Sequence, residues 1–261
     1  MLLAAIACDF LLPCGARIDL INVAFGSDAA SPADFQSVPD RITGVEGFAA
    51  LRLRTAAKDA AEDGTGEERL RFVAVDVRRS LLEAAVGSFL PFLIYPQTTV
   101  MDATICAALW FAAQRSAPAS RVIMLGHGAD ELCAGYSRHV QAFERRGGVS
   151  GLDEELERDI ARLWTRNLGR DDRVIASLGK EARHPFLDES FVRFIHSVPA
   201  ELLCDLSLPK GTGDKQVLRA IARDHLDIPQ AATIPKRAIQ FGSRIAKFLP
   251  KKGKSQLEHA R

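Results

Sequence analysis

Apolar positions along the chain fall into short runs separated by polar stretches that hold glycine or proline. Residues 2–12, LLAAIACDFLL, read as a buried helix. Residues 18–25, IDLINVAF, form a near-continuous run of branched and aromatic side chains, as in a strand buried on both faces of a parallel sheet. Residues 26–41 read as loop and 45–60 as helix. The polar segment 62–69, EDGTGEER, reads as an exposed loop. A second strand is predicted over 71–77, helix over 80–93, and a helix over 102–115 with Asp102 as its N-cap. Residues 121–125, RVIML, make a third strand that runs into a glycine-rich turn. Beyond it the pattern is helical, over about 129–146, 152–165, 172–182, 188–196 and 214–226. The expected fold class is therefore α/β: a parallel sheet with flanking helices and a helical C-terminal lobe. One domain is expected over 1–248, followed by a basic, flexible tail over 249–261.

Composition narrows the class. With 47% hydrophobic and 26% charged residues over 261 positions, the chain is globular and long enough for a sizeable core. A net charge of +1 disfavours a nucleic-acid binder. The basic residues of 235–257 could touch RNA or an acidic partner, or form a solvated end. The cysteines, Cys8, Cys14, Cys106, Cys133 and Cys204, include no CxxC pair, and the histidines complete no zinc pattern. Reduced thiols and a cytoplasmic location are the expectation. The N-terminal run lacks a positive n-region and is interrupted by Asp9, so it is not read as a secretory signal. No run of ~18 apolar residues is present, so no membrane span is expected.

Three segments carry chemistry. In 122–136, VIMLGHGADELCAGY, a strand ends at Gly126-His127-Gly128 and two acids follow. Ligands of open α/β sheets sit beyond the carboxyl ends of strands, and glycines there let backbone N–H groups approach a phosphate. Asp130 and Glu131 could then hold a hard cation on that phosphate, or simply favour the dipole of the following helix. In 170–188, RDDRVIASLGKEARHPFLD, charged residues surround an apolar PFL core, as in a cleft wall or a salt-bridged turn. In 209–223, Lys215 stands at a helix start, where a cation opposes the dipole. Such local conflicts often mark sites, though a solvated lysine is the simpler alternative.

Together these segments resemble the synthetase domain of glutamine-dependent asparagine synthetase, in the ATP pyrophosphatase fold group. The family's SGEGADELFGGY is matched by LGHGADELCAGY at 125–136, and E-x-R-x-PFLD by residues 181–188. K-x-x-L-R is matched by Lys215 to Arg219, and a closing element by Arg237 with Gln240-Phe241. The phrases VPDRITG, NLGRDDRVI and PKRAIQFGSRIAK further resemble the asparagine synthetase domain-containing proteins of eukaryotes. The resemblance implies an adenine nucleotide alpha hydrolase-like sheet. It also implies ATP-dependent adenylation of the aspartate side chain, followed by amidation with glutamine-derived ammonia. Asp130, supported by Glu131, would hold Mg2+. Gly126 and Gly128 would line the ATP pocket, and Val23, Ala24 and Phe25 would hold the adenine through backbone groups. Lys215, Glu181 and Tyr136 would be the catalytic residues, with Lys215 neutralising charge at phosphorus.

The departures from the family shape the expectation. Its phosphate loop, SGGxDS, and the strand before it are absent, so the sheet is expected to be incomplete at the N-terminus. His127 replaces a glutamate and Leu125 a serine. No glutaminase domain is present, and one is expected in a longer protein. The chain thus reads as a fragment of an asparagine synthetase-like ligase, with ATP affinity weaker than ~1 mM as it stands. The alternatives are a pseudoenzyme serving as a nucleotide- or protein-binding module, or another adenylate-forming amide synthase.

Overall fold

The computed structural model describes residues 1–59, 69–118 and 120–249. The loop expected at 62–69 and the tail at 249–261 lie, but for one residue each, outside the described residues.

Helix α1 (Leu2–Leu11) buries Ala5, Ala7 and Cys8, while Asp9 faces away to ion-pair with Arg54 and Lys58. Strand β1 (Ile18–Gly26) lies parallel to β2 (Leu70–Arg78), with Ile18 opposite Leu70 and Gly26 opposite Arg78. A parallel pair needs a crossover, and helix α2 (Pro39–Asp59) provides it. Arg41, fully buried at its start, donates to the Asn22 side chain at 2.6 Å and the Asp76 carboxylate at 2.8 Å, pinning the crossover to both strands. The stretch 26–41 is more ordered than expected. Ser31 closes a capping box with Asp34 on a short helix, Pro32–Gln36.

The expected helix over 80–93 is two helices, α3 (Arg79–Val86) and α4 (Leu90–Ile94), which part at Gly87. Helix α5 (Val100–Arg115) packs its small face on the strands. Ala103, Cys106 and Ala107 join Val23, Phe25, Val75 and Val77 in the largest core cluster. Its cap is Thr99 rather than Asp102: the Thr99 hydroxyl accepts from the Asp102 N–H and donates to the Asp102 carboxylate. Strand β3 (Val122–Met124) pairs in parallel with β4 (Glu181–Arg183), a three-residue strand that no apolar pattern announces.

The helical half follows β3 with α6 (Ala129–Leu132), α7 (Ser137–Arg145), α8 (Val149–Leu163), α9 (Gly169–Ala176), α10 (Glu189–His196), α11 (Ala200–Leu203) and α12 (Gln216–Ala220). Buried ions tie it together. Asp159 of α8 meets His139 at 2.8 Å and is also bound by Arg138. Arg170 of α9 joins Asp171 and, at 2.5 Å, Asp102 of α5. The expected parallel α/β character is present. In place of one sheet, however, the described strands form two separate pairs, β1–β2 and β3–β4. No helix among the described residues is long and apolar enough to cross a membrane.

Candidate functional site

Between the two strand pairs lies a cavity of about 1020 Å³. Residues 18–23 of β1 form one wall and residues 121–126 the other, with Ala108 and Ala112 of α5 contributing. Asp130, Lys215 and Lys236 also line it. The turn after β3 and the start of the lysine helix thus meet at one hollow, although Asp130 and Lys215 are 85 positions apart in sequence.

The contact between them is an ion pair. Lys215 Nζ lies 2.9 Å from Asp130 Oδ1. It approaches off the hydrogen-bonding directions, so this buried oxygen has a countercharge but no donor aimed at it. Lys236 Nζ lies 3.8 Å from Asp130 Oδ2. Local sequence creates this arrangement. A Cβ at Gly135 would run into the Asp130 carboxylate, so only glycine lets the turn fold back over it. Lys215 is the N-cap of α12 in left-handed backbone, φ +53°, and its N–H donates to the Cys133 carbonyl at 3.0 Å. Strained backbone of this kind is concentrated at functional positions.

Glu131 and Tyr136 support the turn. Glu131 is buried; one oxygen accepts from the Tyr136 hydroxyl at 2.7 Å and the other from the Gly128 N–H at 3.2 Å. With both oxygens engaged, Glu131 positions the turn, and Asp130 alone is left to face a cation. Burial, and then the Glu131 and Asp130 charges, push the Tyr136 phenol above its ordinary range, so Tyr136 serves as a donor. The guanidinium of Arg138 sits 3.9 Å from the centre of its ring and Lys236 Nζ 4.2 Å.

The other expected residues divide between the cavity and positions away from it. Glu181 is not brought to the cavity. Its side chain is 58% exposed and pairs with Arg183, because alternation along β4 sets both on the same outward face. Gly126 lines the cavity with open space at its Cα. Gly128 does not line it: with φ +95°, packed on Leu187, it is a turn glycine. Of the adenine-edge residues, Val23 lines the cavity. Ala24 is buried, and the Phe25 N–H is already taken by the Ser243 carbonyl at 3.0 Å. The Phe25 ring packs edge-on against Phe111. His127 turns from the cavity, its Nδ1 3.5 Å from Asp171 Oδ2 and its ring stacked on His184. Lys236, by contrast, was legible only as one cation of a basic tail, although it opens the KRAIQF element.

For Mg2+ the donor set is sparse but suitable. No group of three His, Cys, Asp or Glu side chains that could hold a metal occurs among the described residues. Magnesium, however, commonly takes one or two carboxylates, with phosphate oxygens and water completing its shell. The under-satisfied Asp130 Oδ1 fits that role.

A glycine-turned acidic loop thus faces a lysine at a cavity between parallel strands. Comparison with known proteins gives the chain a family. The model of the asparagine synthase family matches residues 56–149 and 144–247, and the chain belongs to that family. Over 294 residues it is 37% identical to asparagine synthetase domain-containing protein 1 of Bos taurus, covering 95% of this chain and 44% of the relative. Over 224 residues it is 43% identical to the Gallus gallus protein of the same name, covering 81% of this chain and 33% of the relative. A glutamine-hydrolyzing asparagine synthetase of Gallus gallus is 36% identical over 124 residues, covering 47% of this chain and 21% of that protein. The chain thus spans less than half the length of these relatives.

Proposed function

We propose that this domain belongs to an ATP-dependent ligase that makes asparagine. An aspartate side-chain carboxylate oxygen attacks the α-phosphorus of ATP, and the bond to pyrophosphate breaks. Ammonia then attacks the carbonyl carbon, the bond to AMP breaks, and a proton is lost from nitrogen. The ammonia would come from glutamine, hydrolysed elsewhere in a longer protein. Family membership supports the reaction class, and the Lys215–Asp130 pair at the cavity is the observation that carries the reading.

Lys215 supplies positive charge where negative charge grows on the phosphoryl oxygens. It already stands at the cavity beside Asp130 and would turn from that carboxylate to the phosphoryl oxygens, and charge placed in advance in this way is what makes such stabilisation effective. Asp130, once Lys215 turns to phosphate, would hold Mg2+, whose contribution is to neutralise the phosphate chain. Tyr136 and Glu131 keep the acidic turn in shape, and Gly126 leaves room for a ligand beside the backbone.

A second reading, a nucleotide-binding module without amidation, is favoured by the outward placement of Glu181 and the His127–Asp171 contact. Aspartate-dependent pyrophosphate release, assayed with the complete natural protein, decides between them. Release is expected, and Lys215→Ala is expected to lower it 100-fold or more with the melting temperature unchanged within a few degrees; one lost donor of this type costs ~2.7–4 kcal/mol. Release unchanged in Lys215→Ala overturns the role of the lysine. ATP binding without release establishes the second reading.

A further inference from the structure

We propose that His127, His184 and Asp171 form a proton-operated latch on the glycine turn that carries Asp130, so that the hold on this turn changes with pH where an imidazole changes charge. The three residues lie outside the cavity, and the latch holds whether or not a nucleotide enters it.

The cluster is short of a hydrogen. Among the described residues five buried side-chain polar atoms lack a hydrogen-bond partner, and three of them belong here: His127 Nδ1, His184 Nδ1 and Asp171 Oδ2. His127 Nδ1 lies 3.5 Å from Asp171 Oδ2, too far for a good bond. The two imidazoles stack, with ring centres 5.3 Å apart and planes 17° from parallel. Buried polar groups are ordinarily satisfied, so three unmet atoms in one place ask for a cause.

The cluster is also short of positive charge. Asp171 is fully buried, and its other oxygen accepts from Arg170 Nε at 2.7 Å. Arg170 is engaged as well by Asp102 of α5, at 2.5 Å. One buried guanidinium thus serves two buried carboxylates. Arg173, the next guanidinium on α9, points instead to the Leu93 carbonyl and to Gln97. The Cys106 thiol of α5, pushed by burial up to about 12, stays neutral. Asp172 adds a negative charge from the exposed side. Among the described residues no other ion pair reaches either imidazole. One proton on the imidazole pair supplies both the missing donor and the missing charge, through a charge-assisted bond from His127 to Asp171. A second proton is opposed, because two cations at stacking distance repel. Burial lowers the His184 imidazole below the ordinary histidine range and the His127 charge lowers it further, against the pull of Asp171 and Asp172. The shared proton therefore rests on His127.

The segment around His184 grips the turn at three points. The Leu125 N–H donates to the Arg183 carbonyl at 2.8 Å, His184 stacks on His127, and Leu187 packs on Gly128. The Leu187 N–H donates to the His184 carbonyl at 2.8 Å, which ties the ring to the leucine. Charging His127 draws its ring to Asp171 and tightens the grip; loss of the proton relaxes it. The hold is therefore full at low pH and weakens as pH rises through the imidazole range, about 5 to 8. Gly126, next to His127, has open space at its Cα, so the turn has room to shift. His127 and His184 are thus positioning residues for Asp130.

The test follows histidine Cε1 carbon-13 signals and glycine nitrogen-15 amide signals of the complete natural protein from pH 5 to 8.5. His127→Gln, His184→Gln and Asp171→Asn assign the signals and serve as comparisons, and circular dichroism checks each fold. The two rings are expected to take up one proton between them in this range, with the Gly126 and Gly128 amide signals moving alongside. Asp171→Asn is expected to weaken that uptake tenfold or more, and His127→Gln to abolish the glycine response. Should Asp171→Asn fail to fold, wild type against His127→Gln decides. Glycine signals that ignore pH in wild type, or respond equally in His127→Gln, overturn the proposal. So do two rings that each take up a proton of their own, or a folded Asp171→Asn that takes up its proton like wild type. These readouts involve neither ATP nor aspartate, so the latch and the ligase reading stand or fall separately.

Discussion

Single carboxyls in this molecule respond to pH in opposite senses. Burial pushes Asp40 up to about 6, and the Arg237 charge offsets that only in part. The native state therefore keeps a proton that the unfolded chain has released between about pH 4 and 6. The stability it contributes is complete below pH ~4 and lost as pH rises through about 6. Asp40→Asn is expected to flatten this slope and stabilise the protein at pH 7 by on the order of 1–2 kcal/mol after screening, read from urea unfolding at several pH values. Asp159 has the reverse sign. Burial pushes its carboxyl up, but hydrogen bonds from His139 and Arg138 outweigh it and hold the group well below the usual range. That stability is present above pH ~4 and lost on acidification. At this scale residue types were legible and side-chain directions were not. Asp130 and Lys215 stand in recognisable motifs, but the outward face of Glu181 depends on how β4 pairs with β3, which sequence spacing does not encode.

Elements depend on the glycines that let them start. Gly128 takes φ +95° directly before α6 and packs on Leu187. Gly128→Ala is expected to cost ~1–2 kcal/mol for the left-handed backbone, and more from the Leu187 contact, with a lower melting temperature as the readout. Because the same residue donates to Glu131, the variant should also loosen Tyr136, visible as increased fluorescence quenching of that ring by iodide in a Trp-free, Tyr95→Phe background. Strands β1 and β2 and the helix over 100–115 could be read from the periodicity of their apolar residues. The short strand β4 could not, since Glu181 and Arg183 face outward and carry no apolar signal. The 80–93 region divides because Gly87 closes one helix and Pro91 sits in the first turn of the next. Thr99 outcompetes Asp102 as a cap because the helix begins two residues earlier than its apolar pattern suggests.

For the molecule as a whole, thiol chemistry reports how tightly the parts close. All five cysteines are free thiols. Burial pushes Cys8 up to about 11 and Cys106, Cys133 and Cys204 up to about 12, while Cys14 is exposed. One thiol is expected to react quickly with a disulfide reagent at pH 8 and four only upon denaturation; two equally fast thiols would contradict this packing. The mixed α/β architecture was legible from the order of apolar runs. Division of the strands into two pairs was not, because alternation fixes which face of a strand is buried and says nothing of its neighbours. The hydrogen bond that the Lys215 N–H donates to the Cys133 carbonyl has a mechanical meaning. Together with the Lys215–Asp130 contact, it rivets the acidic turn to the helical half at two points. A widening of the hollow that keeps both contacts is therefore one in which the β1 side swings away.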